Sequence, residues 1–297
     1  MKDGGTGRPF AGGYFYASLG LSDHGLPLLR DFIAQRSGTF FSDDQIDLLG
    51  DKTAELITAL GLRSFLDFYY LLKYDDPAMA HWQSLQDRLA VPETYFWRQP
   101  EHFTALTESV IPEIARLNPG KPIRIWSAAC CSGEEPLSIA MALEESGLLR
   151  QHQICISASD ASQALIATAR AGVYGERSFR QLDPARRARF FKPHGNGWRV
   201  SPSLHSMIRY STANLMDAAQ VAPLAAADII FCRNVFIYFT DQGILRVVKS
   251  FAEAMPTPGY LFVGAAESLM RLPTQFTLED IAKAFVYVKR AEVAGNV

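Results

Sequence analysis

The stretch from Ile123 to Asp160 limits the possible folds more than any other part of this chain. Ile123-Arg124-Ile125-Trp126 is a short β-rich run. Small residues and a glycine follow, Ala128 to Gly133, and then a helical pattern from about Pro136 to Gly147. A second β run, Ile154-Cys155-Ile156-Ser157-Ala158-Ser159, ends in Asp160. Strand, tight turn, helix, strand is a βαβ unit, which needs a parallel sheet covered on its faces. Further strands are predicted at Asp228–Cys232, Tyr260–Val263 and Ala284–Lys289, with a helix at about Asp241–Ala254. The alternation argues for a doubly wound α/β sheet.

Two regions depart from that alternation. From Leu28 to Leu89, Leu48, Leu49, Leu56, Leu60, Phe65, Phe68, Tyr69 and Leu72 recur near helical spacing. Ser42-Asp43-Asp44 reads as a helix start and Gly61 as a stop, so residues 28–90 are expected to form a helical N-terminal domain of three or four helices. Between Gly172 and Asn214, a helix-like Pro184–Phe191 is followed by Gly195-Asn196-Gly197, a hairpin signal, and alternating Trp198-Arg199-Val200. A small antiparallel β-subdomain, about 173–212, is expected as an insert in an α/β domain of residues 91–297. Residues 1–27, with seven glycines, are expected to be a flexible tail.

Composition enters as exclusion. With 48% hydrophobic residues in 297, the chain can bury a large core. No apolar run approaches the ~18 residues of a membrane span. Met1–Leu21 lacks a basic stretch followed by an apolar block, so no secretory signal is expected and a cytoplasmic location is. Cys130, Cys131, Cys155 and Cys232 form no CxxC pair, and the six histidines show no HxxxH or HExxH spacing, so no metal site is expected. The 29 Lys+Arg balance 31 Asp+Glu and indicate neither a nucleic-acid nor a membrane partner. That balance conceals an asymmetry: Ala161–Tyr210 holds nine Lys/Arg against Glu176 and Asp183 alone, whereas Asp43, Asp44, Asp47 and Asp51 crowd the helical region.

The first βα turn, Ser127 to Pro136, lacks GxGxxG and GKS/GKT. Its small residues still admit a ligand to the backbone, and the helix N-terminus offers free N–H groups. Glu134 and Glu135 at that helix start would repel a phosphate and attract an ammonium; alternatively they only complement the helix dipole. Asp160 would accept hydrogen bonds from ribose hydroxyls, or cap the helix that follows it. An ammonium-seeking Glu135 with a ribose-seeking Asp160 fits S-adenosylmethionine better than a dinucleotide.

Longer stretches complete a family pattern. Thr94-Tyr95-Phe96-Trp97-Arg98, Ile125 to Cys130, Gly133-Glu134-Glu135-Pro136, Phe231-Cys232-Arg233-Asn234-Val235-Phe236-Ile237-Tyr238-Phe239 and Gly264-Ala265-Ala266-Glu267-Ser268-Leu269 together resemble the CheR family of chemotaxis receptor glutamate methyltransferases. The resemblance runs from about Leu29 to Arg290. It implies a Rossmann-like S-adenosylmethionine-dependent methyltransferase sheet with a helical N-terminal domain and an inserted β-subdomain. It further implies that Thr94, Arg98, Glu135, Asp160, Asn214, Leu215, Arg233 and Asn234 bind S-adenosylmethionine, with S-adenosylhomocysteine as product. Arg98 and Tyr238 become the candidate catalytic pair; without the resemblance they read as a surface ion pair and a core aromatic. The implied partners are the cytoplasmic helices of methyl-accepting chemoreceptors and a receptor C-terminal peptide added as a strand to the β-subdomain, with no nucleic acid and no membrane insertion. Departures from the family pattern are Pro92 where Asn is frequent, Cys131-Ser132-Gly133 for Ser-Thr-Gly, Leu137 for Tyr, an acidic Asp43–Leu60 and a short His194–Gly197 loop.

The implied chemistry is methyl transfer to a glutamate carboxylate, already ionised near neutral pH at a pKa of ~4.3, so no general base is required. Alignment at ~3–3.5 Å contributes on the order of 7–11 kcal/mol. Arg98 would grip a carboxylate, Tyr238 would place its oxygen near the methyl or its ring near the sulfonium, and the basic insert would meet acidic receptor surface. Two other readings compete. A nucleic-acid methyltransferase would need a base-holding segment of the NPPY or DPPY sort, which the chain lacks. A module that binds S-adenosylmethionine without transfer would have no need of both Arg98 and Tyr238.

Overall fold

The computed structural model describes residues 15–291. They form two compact units, described separately. One holds the described residues up to Ala34 together with Phe40–Leu89; the other holds Gln35–Thr39 and the described residues from Ala90 on.

The first unit is built on helix Leu26–Ser37 as far as Ala34 and on helices Ile46–Ala59, Phe65–Tyr74 and Ala80–Leu89. Leu29, Ile33, Leu49, Ile57, Phe65, Phe68, Trp82 and Leu85 form its buried core. The Ser64 hydroxyl caps the third helix by accepting from the Asp67 N–H. Residues 1–14 of the expected tail lie outside the described residues. From Phe15 on the expectation is corrected, because Tyr16, Leu21 and Leu26 are buried in this core. Tyr16 donates through its N–H to Asp51 and through its hydroxyl to Asp47, each at 3.0 Å. Glycine content concealed three apolar anchors, and Tyr16's acceptors are two of the acids that crowd the helical region.

In the second unit the strands are β1 (Ile123–Ala128), β2 (Ile154–Asp160), β3 (Val173–Tyr174), β4 (Phe191–His194), β5 (Gly197–Val200), β6 (Ile208–Thr212), β7 (Ile229–Cys232), β8 (Gly259–Phe262), β9 (Thr277–Ile281) and β10 (Ala284–Lys289). Seven form one sheet in the order β6-β2-β1-β7-β8-β10-β9. β6, β2, β1, β7 and β8 are parallel, and β10 runs antiparallel to β8 and β9. This is the Rossmann-like α/β sheet that the strand–helix alternation predicts.

Side-chain alternation explains why the central strands are apolar throughout. Ile123, Ile125, Phe231 and Phe262 enter one core with Leu137, Ile139 and Met141 of helix Glu134–Ser146. Trp126, Ala128, Ile230, Cys232 and Leu261 enter the other with Val247, Val248 and Phe251 of helix Asp241–Ala254. A parallel sheet covered on both faces leaves no strand position for a polar stripe. The Trp126 indole N–H is satisfied by Ser159 Oγ at 3.0 Å.

A second sheet, β3-β5-β4, is antiparallel throughout and turns at Gly195, with φ 56°. The expected insert boundary is corrected here. Its strands end at Val200, and Ile208-Arg209-Tyr210 belongs instead to β6, with Ile208 opposite Ile156 of β2. β6 is an edge strand in which Ile208 alone is fully buried, so its one-sided pattern mimics a small antiparallel strand.

Candidate active site

β1 is the switch point of the sheet: the chain leaves it toward β2 on one side, and β7 lies on the other. Ligands of open α/β sheets bind outside the carboxyl ends of the strands at such a point. Five of the eight described non-glycine residues with positive φ gather around this edge: Trp97, Gln99, Ala129, Cys131 and Asn234. Strained backbone of this kind clusters where function requires a fixed geometry.

The turn after β1 is tied to the end of β2. Cys130 N–H donates to the Ser159 carbonyl and Cys131 N–H to Asp160 Oδ2, both at 2.9 Å. Gly133 adopts φ 97°, and a Cβ there would lie 2.9 Å from Ala169 Cβ and 3.0 Å from Tyr174 Oη, so the turn accepts only glycine. Asp160 Oδ1 also accepts from Ser162 N–H at 3.0 Å, while the cap of helix Gln163–Ala171 is Ser162 itself. Asp160 therefore fixes the turn rather than capping the helix.

The two adjacent glutamates separate in role. Glu134 is 2% exposed, and its oxygens accept from Ser132 Oγ and Ser178 Oγ at 2.8 and 2.9 Å. Glu135 accepts from Ser127 Oγ at 2.7 Å and pairs with Arg233 at 3.2 Å, and its side chain keeps 14% exposure. Burial pushes both carboxyls above their ordinary range; at Glu135, Arg233 and Ser127 pull in the opposite direction. Arg233 is pushed down by burial and held up chiefly by Glu135.

Segment Thr94–Gln99 reaches this edge because Phe96 is fully buried against Tyr174, Phe179 and Phe191 of the insert, at ring separations of 4.9, 5.1 and 4.9 Å. Phe96 N–H donates to the Ser178 carbonyl at 2.9 Å. The insert thus anchors the segment that carries Arg98. Arg98 makes no ion pair among the described residues; its guanidinium has one long hydrogen bond to the Glu93 carbonyl, 3.4 Å, and lies 5.3 Å from the Tyr95 ring. Tyr238, on the turn after β7, is half-buried and its hydroxyl has no partner among the described residues. Burial raises its pKa, and the Arg98 charge opposes that rise, which places the two side chains in electrostatic reach. The Thr94 hydroxyl is likewise half-buried and unpartnered among the described residues.

Other expected contacts are already occupied by protein. Asn214 donates through its side chain to the Arg36 carbonyl at 2.7 Å and accepts from Met216 N–H at 3.0 Å. Leu215 is 7% exposed and packs in the second core. Arg233 spends four hydrogen bonds on Gln99, Arg98 and Glu135. Asn234 N–H donates to Glu267 Oε2 at 2.6 Å.

Glu267 was not among the residues singled out for the site. It is 5% exposed, and its carboxylate accepts N–H groups from Asn234, Gly264, Phe236 and Ile237. It shapes the turn that carries Tyr238. A glutamate inside the apolar run that starts at Tyr260 is the signal that marks it, since a buried carboxylate needs dedicated donors.

The groups at this edge fit an adenosyl sulfonium cofactor. An acid closes β2, a partly open carboxylate faces the helix start, and small residues leave the backbone of the turn approachable. Fold and site thus define a Rossmann-like S-adenosylmethionine-dependent methyltransferase. Residues 92–285 match the CheR methyltransferase, SAM binding domain, and the chain belongs to the CheR methyltransferase family. It is 33% identical over 262 residues to "Chemotaxis protein methyltransferase 2" of Vibrio cholerae, covering 88% of this chain and 91% of that one. Against "Chemotaxis protein methyltransferase Cher2" of Pseudomonas putida it is 31% identical over 264 residues, covering 87% and 95%. With "Probable biofilm formation methyltransferase WspC" of Pseudomonas aeruginosa it shares 35% over 208 residues, 70% of this chain and 49% of that one. Among the described residues no helix is long and apolar enough to cross a membrane, and no group of three or more His, Cys, Asp or Glu could hold a metal ion.

Proposed function

We propose that this protein methylates glutamate side chains on the cytoplasmic helices of chemoreceptors, within the cytoplasm. The observation that carries the reading is Arg98: a half-buried cation without an ion pair among the described residues, within electrostatic reach of Tyr238, whose hydroxyl is unpartnered among the described residues, at the ligand-binding edge of the sheet.

Bound S-adenosylmethionine supplies an activated methyl group on a sulfonium. Glu135 attracts the ammonium of the cofactor's methionyl end, and its burial makes that attraction stronger than it would be in water. Asp160 offers its remaining acceptor capacity to the ribose hydroxyls. Thr94 donates a hydroxyl to the cofactor, and the backbone around Asn214, Leu215 and Asn234 borders the adenosine, since the Asn214 and Leu215 side chains are engaged elsewhere. Arg233 serves by holding Glu135 and Arg98 in place.

Arg98 grips the substrate carboxylate through its paired N–H groups and sets the attacking oxygen. Tyr238 directs its hydroxyl toward the same oxygen or its ring toward the positive charge. No proton has to be removed from a glutamate that is already ionised. The enzyme contributes orientation and exclusion of water.

The insert offers a docking edge. Among the described residues β4 pairs only with β5, which leaves its outer edge for an added receptor strand. Lys192 and Arg199 are cross-strand neighbours without acidic partners among the described residues, which favours an acidic receptor tail.

Incubation with labelled S-adenosylmethionine and a chemoreceptor cytoplasmic fragment tests the reading. Label is expected on the glutamate-bearing fragment, released by mild base as an ester requires, and lost when the target glutamates are replaced by alanine. Base-stable label, or none on a fragment of the protein's own receptors, would overturn it.

A further inference from the structure

Arg98 stands between two residues in the left-handed region, Trp97 at φ 64° and Gln99 at φ 58°. For side chains other than glycine such a conformation is strained, so the surroundings must impose it. On the Trp97 side, its N–H donates to Ser138 Oγ at 3.0 Å. On the Gln99 side the constraint is Arg233. Its Nη2 donates to the Arg98 carbonyl at 2.6 Å, and its Nη2 and Nε both donate to Gln99 Oε1, at 2.7 and 3.2 Å. Because a guanidinium has only donors, the amide oxygen must face it.

The Arg233 side chain is 2% exposed, and water cannot complete its bonding. Glu135 satisfies a single N–H, on Nη1. Gln99 supplies the acceptor for two more and so fixes the plane of the guanidinium, which in turn holds the Arg98 carbonyl. We propose that Gln99 is a positioning residue for Arg98. It touches no reacting atom and acts through Arg233 on the direction in which the Arg98 side chain leaves the backbone. Being neutral, it does this without adding a second negative charge beside Glu135. The inference rests on the reading of Arg98 as the group that grips the substrate carboxylate.

Two replacements separate the acceptor from the charge. Gln99→Met keeps the length and removes the acceptor, and Gln99→Glu keeps the acceptor. Three readouts apply: kcat and KM on a receptor fragment, S-adenosylhomocysteine affinity by calorimetry, and hydrogen exchange across residues 94–103. Gln99→Met is expected to lower kcat about 10-fold, the scale of a small misplacement, with cofactor affinity within about two-fold and faster exchange in the segment. Gln99→Glu is expected to keep kcat within about three-fold and to exchange as the parent does. In an Arg98→Ala background, Gln99→Met should cost less than about two-fold more. An equal loss in both backgrounds, or full kcat in Gln99→Met, overturns the inference. If Gln99→Met does not fold, Gln99→Ala takes its place under the same criteria. A parent enzyme that binds S-adenosylhomocysteine but labels no receptor fragment defeats the receptor reading alone. Exchange then decides the role of Gln99: unchanged exchange in Gln99→Met overturns it.

Discussion

In the insert, Arg187 pairs with Glu176 and lies 3.9 Å from the Trp198 ring and 4.4 Å from Phe179. At the carboxyl edge of the main sheet, Arg98 forms no ion pair among the described residues. The contrast holds for the wider regions. Arg177 and Arg180 share Glu93, Arg186 bonds Glu145 and Asp183 and lies 3.8 Å from the Trp97 ring, and Arg189 pairs with Glu144. Five of the nine basic residues that made the insert look like an electrostatic docking face are therefore bound up within the unit itself. The sheet edge has fewer charges, and most are buried: Glu134, Glu267 and Arg233 each have their bonds assigned inside the protein. Much of the charge that looks abundant in sequence is structural, whereas the sparser charge of the sheet edge includes a cation, Arg98, without an ion pair among the described residues.

The comparison can be broken most forcefully at Glu267. Replacing it with alanine orphans four N–H groups in a buried turn, at about 1–3 kcal/mol for each that water cannot reach, so a loss of about 3 kcal/mol is expected in chemical denaturation. Unchanged stability would mean that the turn does not depend on its carboxylate.

A pH titration sharpens the contrast next. His102 is 4% exposed, packs 5.3 Å from the Phe262 ring, and has its pKa lowered to about 3, by burial first and the Arg233 charge second. In the unfolded chain the same group titrates near ~6.5. Between those values the unfolded state binds the proton and the folded state does not, so stability is present above about pH 6.5 and falls as pH drops. At about 1.4 kcal/mol per unit, the loss by pH 5 is about 2 kcal/mol. His102→Phe should flatten that slope in urea unfolding at the two pH values; a slope identical to the parent's would contradict the assignment.

The smallest effect lies in the insert. Arg187→Met should cost about 1 kcal/mol through lost packing on Trp198 and Phe179, and it should leave the salt dependence of receptor methylation unchanged. A change in the salt slope with no change in the unfolding midpoint would return Arg187 to a docking role.

The same contrast explains how far the residues alone could be read. β1, β2 and helix Asp241–Ala254 were legible because both faces of the sheet are covered and turn residues bound each run. β9 was not, since Thr-Leu-Glu-Asp-Ile is a half-exposed edge strand without an apolar period. Tyr16 was hidden among glycines, its acceptors lying 31 and 35 residues away. At the site, local turns and the family pattern single out Glu135, Asp160, Arg98 and Tyr238 as candidates. The engagement of Arg233 with Gln99, 134 residues distant, and of Glu267 with the turn after β7 depends on tertiary contact that no local pattern encodes.

Arg98→Ala tests the central claim most directly, with turnover on a receptor fragment and S-adenosylhomocysteine affinity measured on the same preparation. The unpaired cation predicts a fall in kcat of about 100-fold, the scale of losing one preorganised charge contact, with affinity changed by less than about three-fold. Turnover equal to the parent's at equal affinity would contradict the account.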